Sequence, residues 1–494
     1  MSEAMNLATE TIVETTYGPI EGKIKNDVVL FSGVPYAAPP IGDLRFKATQ
    51  PHVGWQEVRP ALRFSPAAPQ LPGGGMTDAL PVNWDEDCLY LNICTPAADD
   101  KKRPVFFWIH GGAYRTGQGA VPWYNGAQFA KNGDIVVVSI NYRMGALGFA
   151  NLSRFGDEFE TSGANGTLDQ ISALNWVIDN IAKFGGDPSQ ITVAGESAGA
   201  FSVGTLLASP RSEGRFKRAI PQSGASQHTI PAAVTQNVAD CFLQKAGAAS
   251  VEALMALSAD EILQAQAAVE QAAMKGEIAD LSNIQPFYPA EGNSVVPVMP
   301  LEAIKAGASA SVDILIGTNK DESTLFITEG YDDEKLSRGA AQYGADDRLV
   351  DVYRACFPDA SATELAVQIQ TDFSFRIPAI RLAEARQDQP GKTFMYLFAW
   401  ESRVGHLKST HALEIPFVFD NLNAAGVKAF IGPGEMPQGV ADVMHQAWID
   451  FIRDGKPGWI EYDLERRLSM RFDTESATVD DPDDQKRQAW QGIR

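Results

Sequence analysis

The β-branched and small run Ile191-Thr192-Val193-Ala194 leads straight into Gly195-Glu196-Ser197-Ala198-Gly199. Such a run reads as a short strand, and a serine crowded by glycine and alanine at its end admits few folds. The chain must turn from strand to helix so sharply that the serine's neighbours have to be small, which Gly195, Ala198 and Gly199 are. Ser197 is thereby pushed out of the sheet edge. A helix expected from about Ala198 to Ala208 aims its first N–H groups and partial positive charge at it. The segment has the form of a nucleophile elbow, with one oxyanion donor built in.

The surrounding pattern agrees with that setting. Val105 to Ile109, Ile135 to Ile140, Ile191 to Val193, Ile314 to Ile316 and Phe394 to Phe398 are short apolar runs, as strands buried on both faces require. Between the second and third, Leu168, Ile171, Leu174, Ile178 and Ile181 form one helical stripe, and Gly185-Gly186 with Asp187-Pro188 stops it. Strand, helix and strand make a crossover unit, so the fold class is α/β with a mostly parallel twisted sheet. The stretches 231–276 and 333–387 lack strand runs and read as helical insertions beside the sheet. No linker divides the 494 residues, so residues 1–494 are read as a single domain.

A formal net charge of −21 argues against nucleic acid, whose binding needs a basic face. The first thirty residues lack a basic segment followed by an apolar run, and no eighteen apolar residues stand together. Neither a signal peptide nor a membrane span is expected. Cys88 and Cys94 share an extended run that holds their Cα atoms roughly 20 Å apart, so they cannot bridge there. A Cys241–Cys356 bond stays open. No Cys/His cluster has metal-site spacing, and neither metal nor cofactor is expected.

His110-Gly111-Gly112-Ala113 follows the strand ending at Ile109, where glycines let backbone N–H groups approach a substrate oxygen. A serine nucleophile also needs a base, which in this chain order comes after the acid. His406, His411 and His445 are late enough, but His445 lies in a helical pattern and reads as structural. His406 and His411 flank a polar segment after the strand Phe394 to Phe398, and spacing does not choose between them. Asp321 and Glu322 both stand just past a strand end, and either can serve as the acid.

The chain resembles the type-B carboxylesterase family, which includes bacterial para-nitrobenzyl esterases and the cholinesterases. The likeness lies in Phe31-Ser32-Gly33-Val34-Pro35-Tyr36-Ala37, Glu86-Asp87-Cys88-Leu89-Tyr90-Leu91-Asn92, Asn141-Tyr142-Arg143, Leu168-Asp169-Gln170 and Phe184-Gly185-Gly186-Asp187-Pro188. The resemblance implies an α/β-hydrolase fold with Ser197 as nucleophile, Glu322 as acid and His411 as base. It implies oxyanion donors at Gly112, Ala113 and Ala198, and a supporting buried serine at Ser223. Secreted relatives pair the cysteine at Cys88 with one upstream in a Cys-Pro-Gln segment, whereas Ala68-Pro69-Gln70 stands here, in keeping with a cytoplasmic location. Ala200, Ser323 and Asp420 replace glycines common in the family.

The expected activity is hydrolysis of a small-molecule carboxylic ester, apolar or aromatic, through an acyl-enzyme, with activity rising through a pKa in the neutral range. Tyr114, Leu325 and Phe326 are the expected pocket walls, and Trp123 and Tyr124 read equally as walls or as ordinary core aromatics. A carbamate or amide hydrolase of the same fold is the alternative. A non-catalytic binding protein of cholinesterase type is disfavoured, because such proteins usually lose the serine.

Overall fold

The computed structural model describes residues 11–72, 82–281 and 284–493. Its strands are β1 (Ile12–Thr15), β2 (Gly18–Glu21), β3 (Lys23–Lys25), β4 (Val28–Pro35), β5 (Arg59–Pro60), β6 (Tyr90–Thr95) and β7 (Arg103–Ile109), followed by β8 (Val136–Ile140), β9 (Gly186–Glu196), β10 (Arg218–Gln222), β11 (Asp313–Asn319), β12 (Thr393–Phe398), β13 (Ser469–Phe472) and β14 (Ala477–Val479). Eleven of them form one sheet in the order β14-β13-β12-β11-β10-β9-β7-β8-β6-β4-β3, while β1, β2 and β5 form a small separate sheet. From β8 across to β13 all neighbours are parallel. The antiparallel pairs lie at the two ends.

Both faces of the central strands are covered, which is why they read as unbroken apolar runs. In β7, Val105, Phe107 and Ile109 enter one core layer, and Phe106 and Trp108 the other. The helices Asn165–Asn180 and Ala198–Ala208 supply Ile171, Leu174, Val177, Val203 and Leu206 to the first layer. The helix Gln438–Asp454 supplies Met444, Trp448 and Phe451 to the second. Each such side chain, fully buried, contributes about 1.5–3 kcal/mol before entropy is charged against it.

The five expected strands are present. The helix read from Leu168 to Ile181 runs Asn165–Asn180, then tightens into a 3₁₀ turn and ends at Gly185, whose φ of 80° is left-handed. The crossover differs in one respect: β8 and β9 are not neighbours, because β7 pairs with both, so the connection steps over one strand. The first helical stretch resolves into Ala232–Ala246, Val251–Met255 and Ala259–Met274. The second resolves into Asp333–Gln342, Asp347–Cys356, Ala362–Thr371 and Ile377–Ala385.

Ion pairs, one buried and one part-buried, tie down segments that carry the resemblance. Arg143 Nη2 lies 2.7 Å from Asp169 Oδ1, and Arg45 Nε donates to Glu86 Oε2 at 2.7 Å. All four cysteines are free thiols, which closes the question of a Cys241–Cys356 bond. Among the described residues no helix is long and apolar enough to cross a membrane.

Register then decides where chemistry can occur. Glu196 pairs with Gln222, Gln222 with Gly317, and Asn319 with Phe398, so β9, β10, β11 and β12 finish side by side. The loops beyond those carboxyl ends form the crevice in which open α/β sheets place their sites.

Candidate active site

Ser197 sits between β9 and the helix Ala198–Ala208 with φ 56° and ψ −123°, a backbone position costing about 1–3 kcal/mol that its surroundings must enforce. Its N–H donates to Gln222 O at 2.9 Å, and its carbonyl accepts from Phe201 N at 2.9 Å to start the helix. The small neighbours have a direct cause. A Cβ at Gly199 would lie 2.1 Å from Ile109 O, and one at Gly195 would lie 2.5 Å from Gly199 C.

The loop after β7 approaches from the other side. A Cβ on Gly111 would lie 3.0 Å from the Cβ of Ser197, so only glycine lets this loop pass the serine. Gly112, Ala113 and Tyr114 follow at φ 109°, 53° and 56°, and the turn is closed by Arg115 and Thr116 N–H groups on Gly112 O. Among the described residues no hydrogen bond is donated by the N–H of Gly112 or Ala113. Ala198, first in its helix, has no intrahelical acceptor either. Gln70 braces the loop by bonding both the N–H and the carbonyl of Gly117 at 2.9 Å. His110 is structural: it stacks on Tyr142, and burial pushes its pKa down to about 4.

Beyond β11, Glu322 is fully buried; its Oε1 accepts from Asn319 N at 2.8 Å and its Oε2 lies 2.6 Å from His411 Nδ1. Asn319 Nδ2 also donates to Thr410 O at 2.6 Å and to Glu414 Oε2 at 2.7 Å, tying the acid loop to the histidine loop. Asp321 turns away and accepts from Gln368 Nε2 at 2.8 Å. His406 is exposed in a separate cleft of about 960 Å³ that Asp321 also lines. His445 lies in the helix Gln438–Asp454 with Nδ1 2.7 Å from Val418 O. Of the open alternatives, the structure therefore joins Glu322 to His411 and separates the others. Ser223, buried after β10, donates to Glu414 Oε1 at 3.3 Å.

Two carboxylates went unnoticed in the sequence. Glu196 Oε1 lies 3.1 Å from His411 Nε2, and among the described residues no hydrogen bond joins that nitrogen to Ser197. Burial drives the Glu196 pKa up to about 8 against the pull of His411, and burial with the nearby Glu322 charge drives Glu414 up to about 7. Burial alone would lower His411, but Glu196 and Glu322 outweigh it and hold the imidazole at about 9. The available signal was a carboxylate inside a run that otherwise reads as wholly buried.

Aromatic rings line the space beside His411. Phe326 is half-exposed with its ring 5.2 Å from the imidazole, and Phe375 is buried at 4.8 Å. Phe201 stacks on His228 at 3.6 Å and reaches Phe375 at 6.4 Å; Leu325 is part-buried next to Phe326. The other three aromatic candidates are core residues. Tyr114 is fully buried, packing edge-on against Phe149 and Tyr288 and accepting from Ser202 Oγ at 3.1 Å. Trp123 and Tyr124 belong to the core layer on the far face of β7. Asp420 adopts φ 51°, the reason glycine suits that position.

The Carboxylesterase family matches residues 9–490. The para-nitrobenzyl esterase of Bacillus subtilis (strain 168) is 36% identical over 97% of this chain and 98% of its own length. The phenmedipham hydrolase of Pseudarthrobacter oxydans is 35% identical over 91% of each. The crystal structure of a Geobacillus stearothermophilus carboxylesterase at pH 6.2 superposes with a TM-score of 0.87 at 38% identity, covering 97% of this chain and all of that one. Agreement over nearly the full length, in both sequence and α/β-hydrolase fold, means that this chain belongs to the carboxylesterase family and is a serine hydrolase of carboxylic esters.

Proposed function

We propose that Ser197 is the nucleophile, His411 its general base and Glu322 the acid that orients the imidazole, with the N–H groups of Gly112, Ala113 and Ala198 receiving the oxyanion. The observation that carries this reading is the buried 2.6 Å contact of Glu322 with His411 Nδ1, at the same sheet edge as a serine held in a strained elbow. His411 Nε2 exchanges its Glu196 contact for the serine hydroxyl and takes the proton as Ser197 attacks the ester carbonyl. His411 then protonates the leaving alcohol, and water repeats the sequence to release the acid. Ser223 acts from behind, through Glu414.

The phenylalanines around His411 support an apolar or aromatic ester, with Phe326, Leu325 and Phe375 as walls. Similarity to the para-nitrobenzyl esterase of Bacillus subtilis supports the same class. In this reading residues 1–494 act as one α/β-hydrolase domain carrying two helical insertions. The four free thiols support a cytoplasmic location.

A para-nitrophenyl ester chain-length series, run beside a matched carbamate and anilide, tests the substrate class. Esters should turn over fastest, and a fluorophosphonate should label Ser197 alone. Labelling that persists in Ser197→Ala, or faster carbamate than ester turnover, would overturn the reading.

The pH dependence has a definite sign. Neighbouring carboxylates favour the charged imidazole, which cannot act as base, so hydrolysis should be lost as pH falls and gained as it rises toward about 9. That midpoint lies on the alkaline side of the neutral range expected from the sequence. Glu196→Gln removes one of those charges and should move the midpoint of kcat/KM down by about one to two pH units. An upward or absent shift would show that Glu196 does not hold the proton on His411.

A further inference from the structure

Between the helices Ala362–Thr371 and Ile377–Ala385 the chain makes one π-helical turn, Asp372–Arg376. Such turns recur where a helix must redirect a side chain at a site. Here Phe375 meets His411, and the Ser374 carbonyl lies 3.0 Å from His228 Nε2. Asp372 and Arg376 turn instead into a buried ion cluster. Lys486 Nζ sits 3.2 Å from Asp372 Oδ2 and 2.9 Å from Asp483 Oδ1, and Arg376 Nε donates to Asp483 Oδ2 at 2.7 Å.

Tyr353 OH donates to Asp372 and accepts from Trp490 Nε1 at 2.7 Å, so both ends of the helix Asp484–Ala489 are fastened to the turn. Side-chain exposure is 1% at Asp372, 3% at Arg376, 8% at Asp483 and 14% at Lys486. Desolvating four charges is costly, and apolar packing would stabilise as well. What the fork-like Arg376 and the shared Lys486 add is geometry: they hold one face of the π turn while its other face meets the imidazole.

We propose that Asp483 and Lys486 are positioning residues that hold Phe375 against His411, so that the segment Asp483–Trp490 helps to set which ester groups are accepted. The proposal rests on the reading of Ser197, His411 and Phe375 given above. Loosening the cluster frees the turn to move the phenyl ring, which enlarges the pocket without touching the triad.

The test compares Lys486→Met, Lys486→Arg and Trp490→Phe with the natural protein on para-nitrophenyl acetate, butyrate and benzoate, and on acetate esters of graded alcohols. Lys486→Met should change the ratio of bulky to small substrates in one series by about tenfold, through KM more than kcat, because a pocket contact discriminates on that scale. Fluorophosphonate labelling should keep its rate, and Lys486→Arg should restore the ratio. Trp490→Phe, which loses the indole bond to Tyr353 and part of the buried ring, should shift it in the same direction and carries the test if Lys486→Met does not fold. Parallel loss on every substrate, or unchanged ratios in both series, would reduce the cluster to a structural brace and overturn the proposal. A natural protein that hydrolyses none of the esters, or a Ser197→Ala variant as active as the natural protein, would instead remove the catalytic reading and the positioning role with it.

Discussion

Ser197→Ala should lower kcat on para-nitrophenyl acetate by about 10⁵- to 10⁶-fold, the scale on which members of a serine triad act as a unit. Alanine keeps the Cβ, so the elbow meets no new contact at φ 56° and the melting temperature should hardly move. His411→Ala should lose as much activity but also stability. It leaves the buried Glu322 without its partner, a loss of about 3–5 kcal/mol for a broken buried pair. Activity of that variant has to be measured well below its transition. A residual acceleration of about 10³- to 10⁴-fold over water should survive from the oxyanion donors and binding. His406→Ala is the control: it is exposed in another cleft, and its kcat should stay near that of the natural protein. If His406→Ala were the inactivating change, the base would be misassigned.

Glu322→Gln should cost about 10⁴-fold in kcat, because an amide in place of the acid no longer holds the imidazole in the tautomer that leaves Nε2 free to take a proton. The 2.6 Å contact at His411 Nδ1 is where the change is felt, and Asn319 N would still bond the amide oxygen, so the loop should remain in place. Asp321→Asn is the matched comparison one residue away. Its carboxyl, although buried, meets Gln368 and Ser409 and not His411, so kcat should change by less than about tenfold, as for changes away from the reacting groups. Steady-state turnover of both variants decides it, and equal losses would mean that the loop's shape, not the identity of the acid, is what matters.

The features legible from the sequence are those whose cause is local. The elbow shows because Gly195 and Gly199 have no room for a Cβ. The loop at His110 shows because Gly111 must pass within contact of Ser197. The apolar runs show because both faces of the sheet are covered. The choice between Asp321 and Glu322 was not legible from spacing. Adjacent residues in a tight turn point in different directions, and only the packing of Asn319, Thr410 and Glu414 decides which one meets His411. Resemblance to relatives chose the pair that geometry joins.

The chain by itself determined the central strands and the tight turn at Ser197, because each is written in residue size and apolar period over a few positions. Tertiary structure alone decided that Glu196 lies against Nε2 of His411 and that Phe375 packs beside the imidazole, while Tyr114 is fully buried and Trp123 and Tyr124 join the other core layer. It also decided that Asp483 and Lys486 grip the turn behind Phe375. Those contacts join residues far apart along the chain, and their energies depend on burial and charge proximity, which exist only once the sheet has brought its strand ends together.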